Sequence, residues 1–519
     1  IDNLAHLTAF DGPGEPIYAP QSPARLRALA YRAALQPLFG QAAALGMQVF
    51  VTSDMQWSTP ELRAAAGPLK PDSPRLAALN RRALAELFTA LPEVGGLVIR
   101  VGEAGGAHNQ GSDYCGHLLY TTPAALRGLI AELLPVCEAH KRRLVVRTWS
   151  VGIGELGDLI CSPARYAKTF GGFRSPALLV SIKHSPADFF RLLPPNPTLG
   201  LPGPQQIIEF QNRREYELFG LVPSSVADLH GTALACASSR CAGLWAWNST
   251  GGWGGGQASL GPQGWNLWTE LSSALTAALA AQPGLDSKRF VQGWLGQRLN
   301  TSAGAQPQQR FVDTVGQLYL ESAHLIERAW YLGPQPGAAQ RLGGLYLAPL
   351  LWVWWMRPTA ALPVWAYLAD TLPNIDAVLA EGAAAAAQAA DYAEQLSALA
   401  PPGDDAAFLV TSARYFADAL ALAQATWHLM LPLLAQARQG SRPDVAALRR
   451  AARQTHAALV AHTAAWGQRA DFPALELDEL FQMVAALEHR PHSVWLQARA
   501  ACVAVHAARH SRSLGALGV

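Results

Sequence analysis

Several short apolar runs in the first half of this chain end in residues able to handle a charged or hydroxylated substrate. Gly96-Leu97-Val98-Ile99-Arg100-Val101 leads into Gly102-Glu103 and then Ala104-Gly105-Gly106-Ala107-His108. Leu144-Val145-Val146-Arg147-Thr148-Trp149 ends in a cation and an indole. Val180-Ser181-Ile182-Lys183-His184-Ser185-Pro186-Ala187-Asp188 delivers a lysine and then a carboxylate. Ile207-Ile208-Glu209-Phe210-Gln211-Asn212-Arg213-Arg214-Glu215-Tyr216 is the densest in charge, and Leu244-Trp245-Ala246-Trp247-Asn248 is followed by Gly251-Gly252-Trp253. Carboxylates paired with cations and ringed by tryptophan suit sugar chemistry. Cleaving a glycosidic bond needs one protonated carboxylic acid for the leaving oxygen and a second carboxylate to activate water or attack. Indole faces stack on the apolar faces of sugar rings, and 16 Trp exceed what an average core uses. A lone Glu at a strand end is more often a solvated or salt-bridged residue than a catalyst, so the weight rests on the set.

The elements that must position these residues follow one pattern. Strands are expected near 4–9, 48–52, 96–101, 144–148, 178–183, 206–210 and 242–247, with helices such as 23–45, 73–91 and 123–140 between them. Each helix starts near Ser, Thr or Pro and repeats apolar residues at spacings of three and four. Strand and helix alternating in this way imply parallel strands with crossover helices. The expected fold class is α/β, a (β/α)8 TIM-type barrel at 1–285, followed by a large all-α C-terminal domain at 286–519. Seven strands are one fewer than the barrel requires. An open doubly wound sheet is the rival, but no G-x-G-x-x-G follows an early strand. The second half is alanine-dense, as in 381–400 and 443–467, which alanine's helix propensity turns into long helices. Pro401-Pro402-Gly403 stops one of them. In parallel barrels catalytic groups sit at the C-terminal strand ends, where the residues above fall.

Composition narrows the class. At 519 residues, three or four average domains fit, as does one barrel with a large companion. Net charge is +2, from 40 basic and 38 acidic residues, which argues against nucleic acid as a partner. Apolar residues make up 50% and charged residues 15%, enough for a large core. No apolar run reaches the roughly 20 residues of a membrane helix, so no membrane is expected. Six cysteines lack metal or scaffold spacing and are expected as free thiols, with a Cys236–Cys241 bridge the one alternative. The chain starts at Ile1 with no signal-peptide pattern, and is expected either to be processed or to begin inside a longer protein. Its Ala-, Arg- and Leu-rich composition points to a bacterial source, with cytoplasm and periplasm both open.

Gly95 to Glu103, Val146-Arg147-Thr148-Trp149, Lys183-His184-Ser185-Pro186-Ala187-Asp188-Phe189 and Glu209-Phe210-Gln211 through Glu215-Tyr216 together resemble the α-glucuronidases of glycoside hydrolase family 67. The order and the spacing from Asp188 to Glu215 match, convincingly over about residues 1–300 and only in architecture beyond. The resemblance implies a central (β/α)8 barrel, a helical C-terminal domain, an inverting exo-acting mechanism without metal or cofactor, and a homodimer through the helical domain. It implies Glu103 as general acid, Asp188 and Glu215 as the pair activating water, and Arg100, Arg147 and Lys183 as the cations holding a uronate. A guanidinium grips a carboxylate bidentately, which agrees with that role. For Arg147 and Lys183 the other reading is a structural salt bridge.

The departures are specific. The loop before Glu103 is one residue shorter, and the family's lysine is here Arg100. His184-Ser185 replaces Asn-Gly, and Asn212-Arg213-Arg214 adds two charges beside the base. These keep the reaction class and leave the sugar open. No counterpart appears for the family's N-terminal domain or first strand, so those lie upstream or the barrel closes differently. His108, Asp54, Trp57, Trp149, Trp247 and Trp253 are further candidates to line the sugar pocket. For Asp54 and Trp57 the other reading is a helix cap and a packed indole. A metal at His108, Asp113 and His117 is not expected, because no cysteine partner stands at zinc spacing. Trp352, Trp354 and Trp355 fit a buried helical core. Two other readings stand beside the α-glucuronidase-like one: a barrel glycosidase for a different acidic or neutral sugar, and a silent carbohydrate-binding protein.

Overall fold

The computed structural model describes residues 4–102, 115–150, 154–237, 241–248, 266–299, 306–332, 341–342, 345–346, 358–372, 374–475 and 477–510. The chain forms two compact units. The first comprises Ile1–Pro186, Pro195–Glu209 and Ala233–Trp245; the second comprises Ala187–Pro194, Phe210–Thr232 and Ala246–Val519.

The first unit is built on a curled parallel sheet. Its strands are β1 (Val49–Asp54), β3 (Val94–Arg100), β5 (Arg143–Arg147), β6 (Leu178–Lys183), β7 (Gln205–Gln211) and β8 (Cys241–Trp247), paired in that order, the last two residues of β7 and of β8 being assigned to the second unit. Two-residue strands β2 (Trp57–Ser58) and β4 (Cys115–Gly116) pair separately and antiparallel. Six of the seven expected strands are therefore present, each within two residues of its expected bounds.

The seventh is not a strand. Leu4–His6 forms a 3-10 turn, and 8–10 is irregular. The segment is buried and apolar enough for a strand, but side chains satisfy its backbone. The Leu4 amide donates to Ser53 Oγ and the Ala9 amide to Glu86 Oε1, so no ladder is needed.

Crossover helices start on one local signal, a hydroxyl followed by proline. These are α1 (Pro23–Ala44), α2 (Pro60–Ala66), α3 (Pro74–Ala90), α4 (Pro123–Ala139) and α5 (Pro163–Phe170). Thr59, Ser73, Thr122 and Ser162 each accept from the amide three residues on. Proline at the first position gives up an amide that would have no partner, and each cap adds about 1 kcal/mol.

Strand alternation sorts the sheet's two faces. Leu97, Ile99, Leu144, Val146, Leu178 and Val180 point one way and are fully buried, as a sheet covered by helices requires. On the other face Val98, Val145, Leu179 and Ile207 form one apolar layer. Two residues further along each strand, that face presents Arg100, Arg147, Ser181 and Glu209. A charged layer thus sits just past an apolar one, at the C-terminal ends. Gly96 is fixed by close approach, since a Cβ there would lie 2.5 Å from Arg143 O.

The second unit is helical: α6 (Ala227–Ala237) straddles the division, and α7 (Leu267–Ala281), α8 (Ser287–Arg298), α9 (Gln306–Ala329), α10 (Pro358–Thr371), α11 (Ile375–Leu399), α12 (Asp404–Gln439), α13 (Val445–Trp466), α14 (Asp478–His489) and α15 (Pro491–His510) follow. The two alanine-dense segments are α11 and α13, as expected. Helix α12 is the core, burying Leu409, Phe416, Leu420, Trp427 and Met430. By length and composition it could cross a membrane, yet 61% of its most apolar window is enclosed within the structure. It starts on Asp404 and Asp405, which favour the positive end of its dipole, and ends on Gly440 at φ 71°.

Candidate active site

In the first unit, the predicted cations occupy strand ends and are paired with carboxylates. Arg100, the last residue of β3, donates through Nε to Asp54 Oδ1 at 2.6 Å, and Asp54 ends the neighbouring β1. Arg147 ends β5 and grips Glu209 with both Nε (3.0 Å) and Nη2, a bidentate pair. Glu209 also accepts from Ser181 Oγ at 3.2 Å, and Ser181 in turn accepts from Trp245 Nε1 at 2.8 Å. The Arg147 guanidinium lies 5.5 Å from the Trp245 ring centroid. All four charged groups are buried.

Lys183 ends β6, is 4% exposed, and places Nζ 3.4 Å from the centroid of the Trp149 ring. An ammonium over an indole face is attracted by its quadrupole, so Trp149 holds Lys183 in place. Gly102 brings the chain after β3 against the same loop, since a Cβ there would lie 2.1 Å from Trp149 O. Trp57 is fully enclosed, with Phe10 beside it. His117 accepts or donates to Ser58 Oγ at 2.7 Å, and burial, with the Arg63 charge, holds it more readily neutral than usual.

In the second unit, the proposed water-activating carboxylates meet. The Tyr216 hydroxyl donates to Asp188 Oδ2 and also hydrogen-bonds Glu215. Asp188 Oδ1 takes the Phe189 amide at 3.0 Å. Arg213 Nη2 donates to Glu215 Oε2, and the Glu215 amide donates to Gln211 Oε1 at 2.8 Å. The Arg213 guanidinium lies 5.7 Å from the Trp247 ring centroid, and the Asn212 and Arg213 amides both bond Trp247 O. Burial and the two adjacent carboxylates push the Tyr216 hydroxyl well above the usual phenol range. It is a neutral donor at any working pH.

The segment that carries Glu215 and Tyr216 is held from behind. Arg191 and Arg214 both donate to Glu217, joined by Ser224 and by Tyr331 at 3.4 Å, and no member of the Arg–Glu–Arg cluster is more than 2% exposed. The two guanidiniums hold the Glu217 carboxyl down at about 2, against the cost of burial. Arg214, Leu218 and Phe219 have φ of 45°, 63° and 54°, a left-handed conformation that side chains with a Cβ rarely adopt. Such backbone persists only where the surroundings over-determine it, and the charged cluster does so here.

Glu103, His108, Trp253 and the Trp352, Trp354 and Trp355 run lie outside the described residues. Sequence reasoning missed Glu209, Trp245, Arg213, Tyr216 and the Glu217 cluster as working parts. Strand alternation signals the first, since Glu209 shares a face with Ile207. The six cysteines are free, Cys236 and Cys241 included. Among the described residues no cluster of three His, Cys, Asp or Glu could hold a metal.

The structure defines a parallel α/β sheet protein with charged strand ends and a companion helical unit. No family model matches the chain, and no curated protein matches it. Among solved structures, a GH138 enzyme targeting pectin rhamnogalacturonan II matches with TM-score 0.56 at 11% identity, over 89% of this chain and 55% of that one. The chain therefore spans about half the length of that enzyme, and the likeness is one of fold. A chitobiase of Flavobacterium johnsoniae matches over 87% of this chain and 68% of that one at 12% identity, with a TM-score of 0.30.

Proposed function

We propose that this chain is a glycoside hydrolase, an inverting, exo-acting, α-glucuronidase-like enzyme that releases a terminal uronic acid from an oligosaccharide. The observation that carries this reading is the meeting of Asp188 and Glu215 on the Tyr216 hydroxyl, with Arg213 on Glu215. A buried and a half-buried carboxylate held together are what water activation needs. The fold shared with a GH138 enzyme supports the class. The six strands are read as part of a (β/α)8 barrel in which Leu4–Phe10, lying against β1, takes the place of a first strand.

Glu103 gives its proton to the glycosidic oxygen as the anomeric C–O bond breaks. Water attacks the anomeric carbon and yields its proton to Glu215. The products are a free uronic acid of inverted configuration and the shortened glycan. Acid and base in such a mechanism stand about 6.5–9.5 Å apart. Lys183, Arg100 and Arg147 are assigned to the uronate carboxylate, and a homodimer is the assembly expected.

One observation favours a second reading, a glycosidase of this design working on a different acidic or neutral sugar. Arg100 and Arg147 already have carboxylate partners, Asp54 and Glu209. A panel of matched glucuronide-, galacturonide- and glucoside-capped oligosaccharides separates the two. Release of the uronic acids with poor turnover of the glucoside supports the first, and preference for the glucoside supports the second.

A further inference from the structure

We propose that Tyr216 is a positioning residue that divides the labour between the two carboxylates, fixing Asp188 as the permanent anion and reserving Glu215 for the proton taken from water. The inference deepens the hydrolase reading and rests on it. A phenol carries one proton. While that proton is given to Asp188 Oδ2, the phenol oxygen can only accept from its other side. Glu215 lies within hydrogen-bonding reach of the same hydroxyl; as an anion it can only compete with Asp188 for the single proton, and it can donate there only when protonated. The phenol therefore favours the state reached once water has been deprotonated, with anionic Asp188, neutral Glu215 and Tyr216 bonded to both, while Arg213 holds Glu215 charged until then.

Asp188 is further held as an anion by the Phe189 amide on Oδ1. Within this unit, Asp188 and Glu215 face the phenol together, and Arg213 faces Glu215 and steadies it before the proton arrives. The Tyr216 ring packs on Phe190 at 4.3 Å between centroids, and its carbonyl accepts from Trp330 Nε1 at 3.1 Å. The aromatic ring is thus anchored independently of its hydroxyl, so Tyr216→Phe removes the proton donor and keeps the packing.

The test uses the full chain and two readouts, 13C carboxyl NMR titration of Asp188 and Glu215 and the pH profile of kcat/KM. Losing a donor to a carboxylate disfavours its charged form, so in Tyr216→Phe the Asp188 carboxyl should titrate about one pH unit higher. The acid limb of kcat/KM reports the base Glu215, which loses the oxygen that accepts from its neutral form, so that limb should move to lower pH as the Asp188 titration moves up. Asp188→Asn should also move Glu215 to lower pH, because the phenolic proton then turns to Glu215 and a neighbouring charge is gone. This second variant keeps the inference testable if Tyr216→Phe fails to fold. Titrations and limb unmoved in Tyr216→Phe, or Glu215 moving to higher pH in either variant, would overturn the inference. Shifted titrations in a chain that cleaves no glycoside would support the coupling and overturn the hydrolase reading instead.

Discussion

Replacing Glu217 by glutamine tests whether the buried charge cluster holds the segment of Glu215 and Tyr216. Glutamine keeps the shape and removes the charge, leaving Arg191 and Arg214 buried against a neutral amide. The Glu217 carboxyl sits at about 2 in the folded chain, from an ordinary value of 4.5. That difference corresponds to about 3 kcal/mol of stability. Breaking a buried pair by removing one partner costs about 3–5 kcal/mol by independent reckoning. A folded-state value held low means the contribution is complete above about pH 4.5 and fades as pH falls toward about 2. Urea unfolding followed by tryptophan fluorescence should therefore show Glu217→Gln less stable by about 3–5 kcal/mol at pH 7. The gap should narrow by about 1 kcal/mol at pH 4. A variant within about 1 kcal/mol of wild type at pH 7, or a gap that is flat with pH, would refute the reasoning. Replacing Arg191, Arg214 and Glu217 together by apolar residues of similar volume should be far milder than Glu217→Gln alone.

Two further predictions address the chemistry. Glu103→Gln should lower turnover of substrates with poor leaving groups by about 100-fold or more and spare activated aryl glycosides, which need little protonation; equal losses on both remove Glu103 from the acid role. Lys183→Met should cost about 2–5 kcal/mol in kcat/KM on a glucuronide and little on the matched glucoside; equal losses mark the lysine and its Trp149 contact as structural.

Much of the first unit was legible because β-branched runs and hydroxyl–proline helix starts are local signals. The strand ends carrying Arg100, Arg147 and Lys183 followed from those runs. Leu4–Ala9 misled because apolar content looks the same whether backbone groups are paired in a ladder or by Ser53 and Glu86, which lie far along the chain. The partners of the cations were hidden for a related reason. Asp54 and Glu209 stand 46 and 62 residues from their arginines, and only the sheet order makes them neighbours. Tyr216 stood inside the motif, but its contact with Asp188 spans 28 residues and leaves no periodic trace. The Glu217 cluster left none at all, since Arg191, Ser224 and Tyr331 reach it from three separate segments.

In the proposed reaction Asp188, Tyr216 and Glu215 drive a water onto the anomeric carbon of a terminal uronide. The most direct test is 1H NMR of the first product released from a uronic-acid-capped oligosaccharide, read before the free sugar mutarotates. The inverted anomer of the free uronic acid should appear first, with release abolished in Glu215→Gln. Appearance of the retained anomer first, or unchanged release in Glu215→Gln, would contradict it.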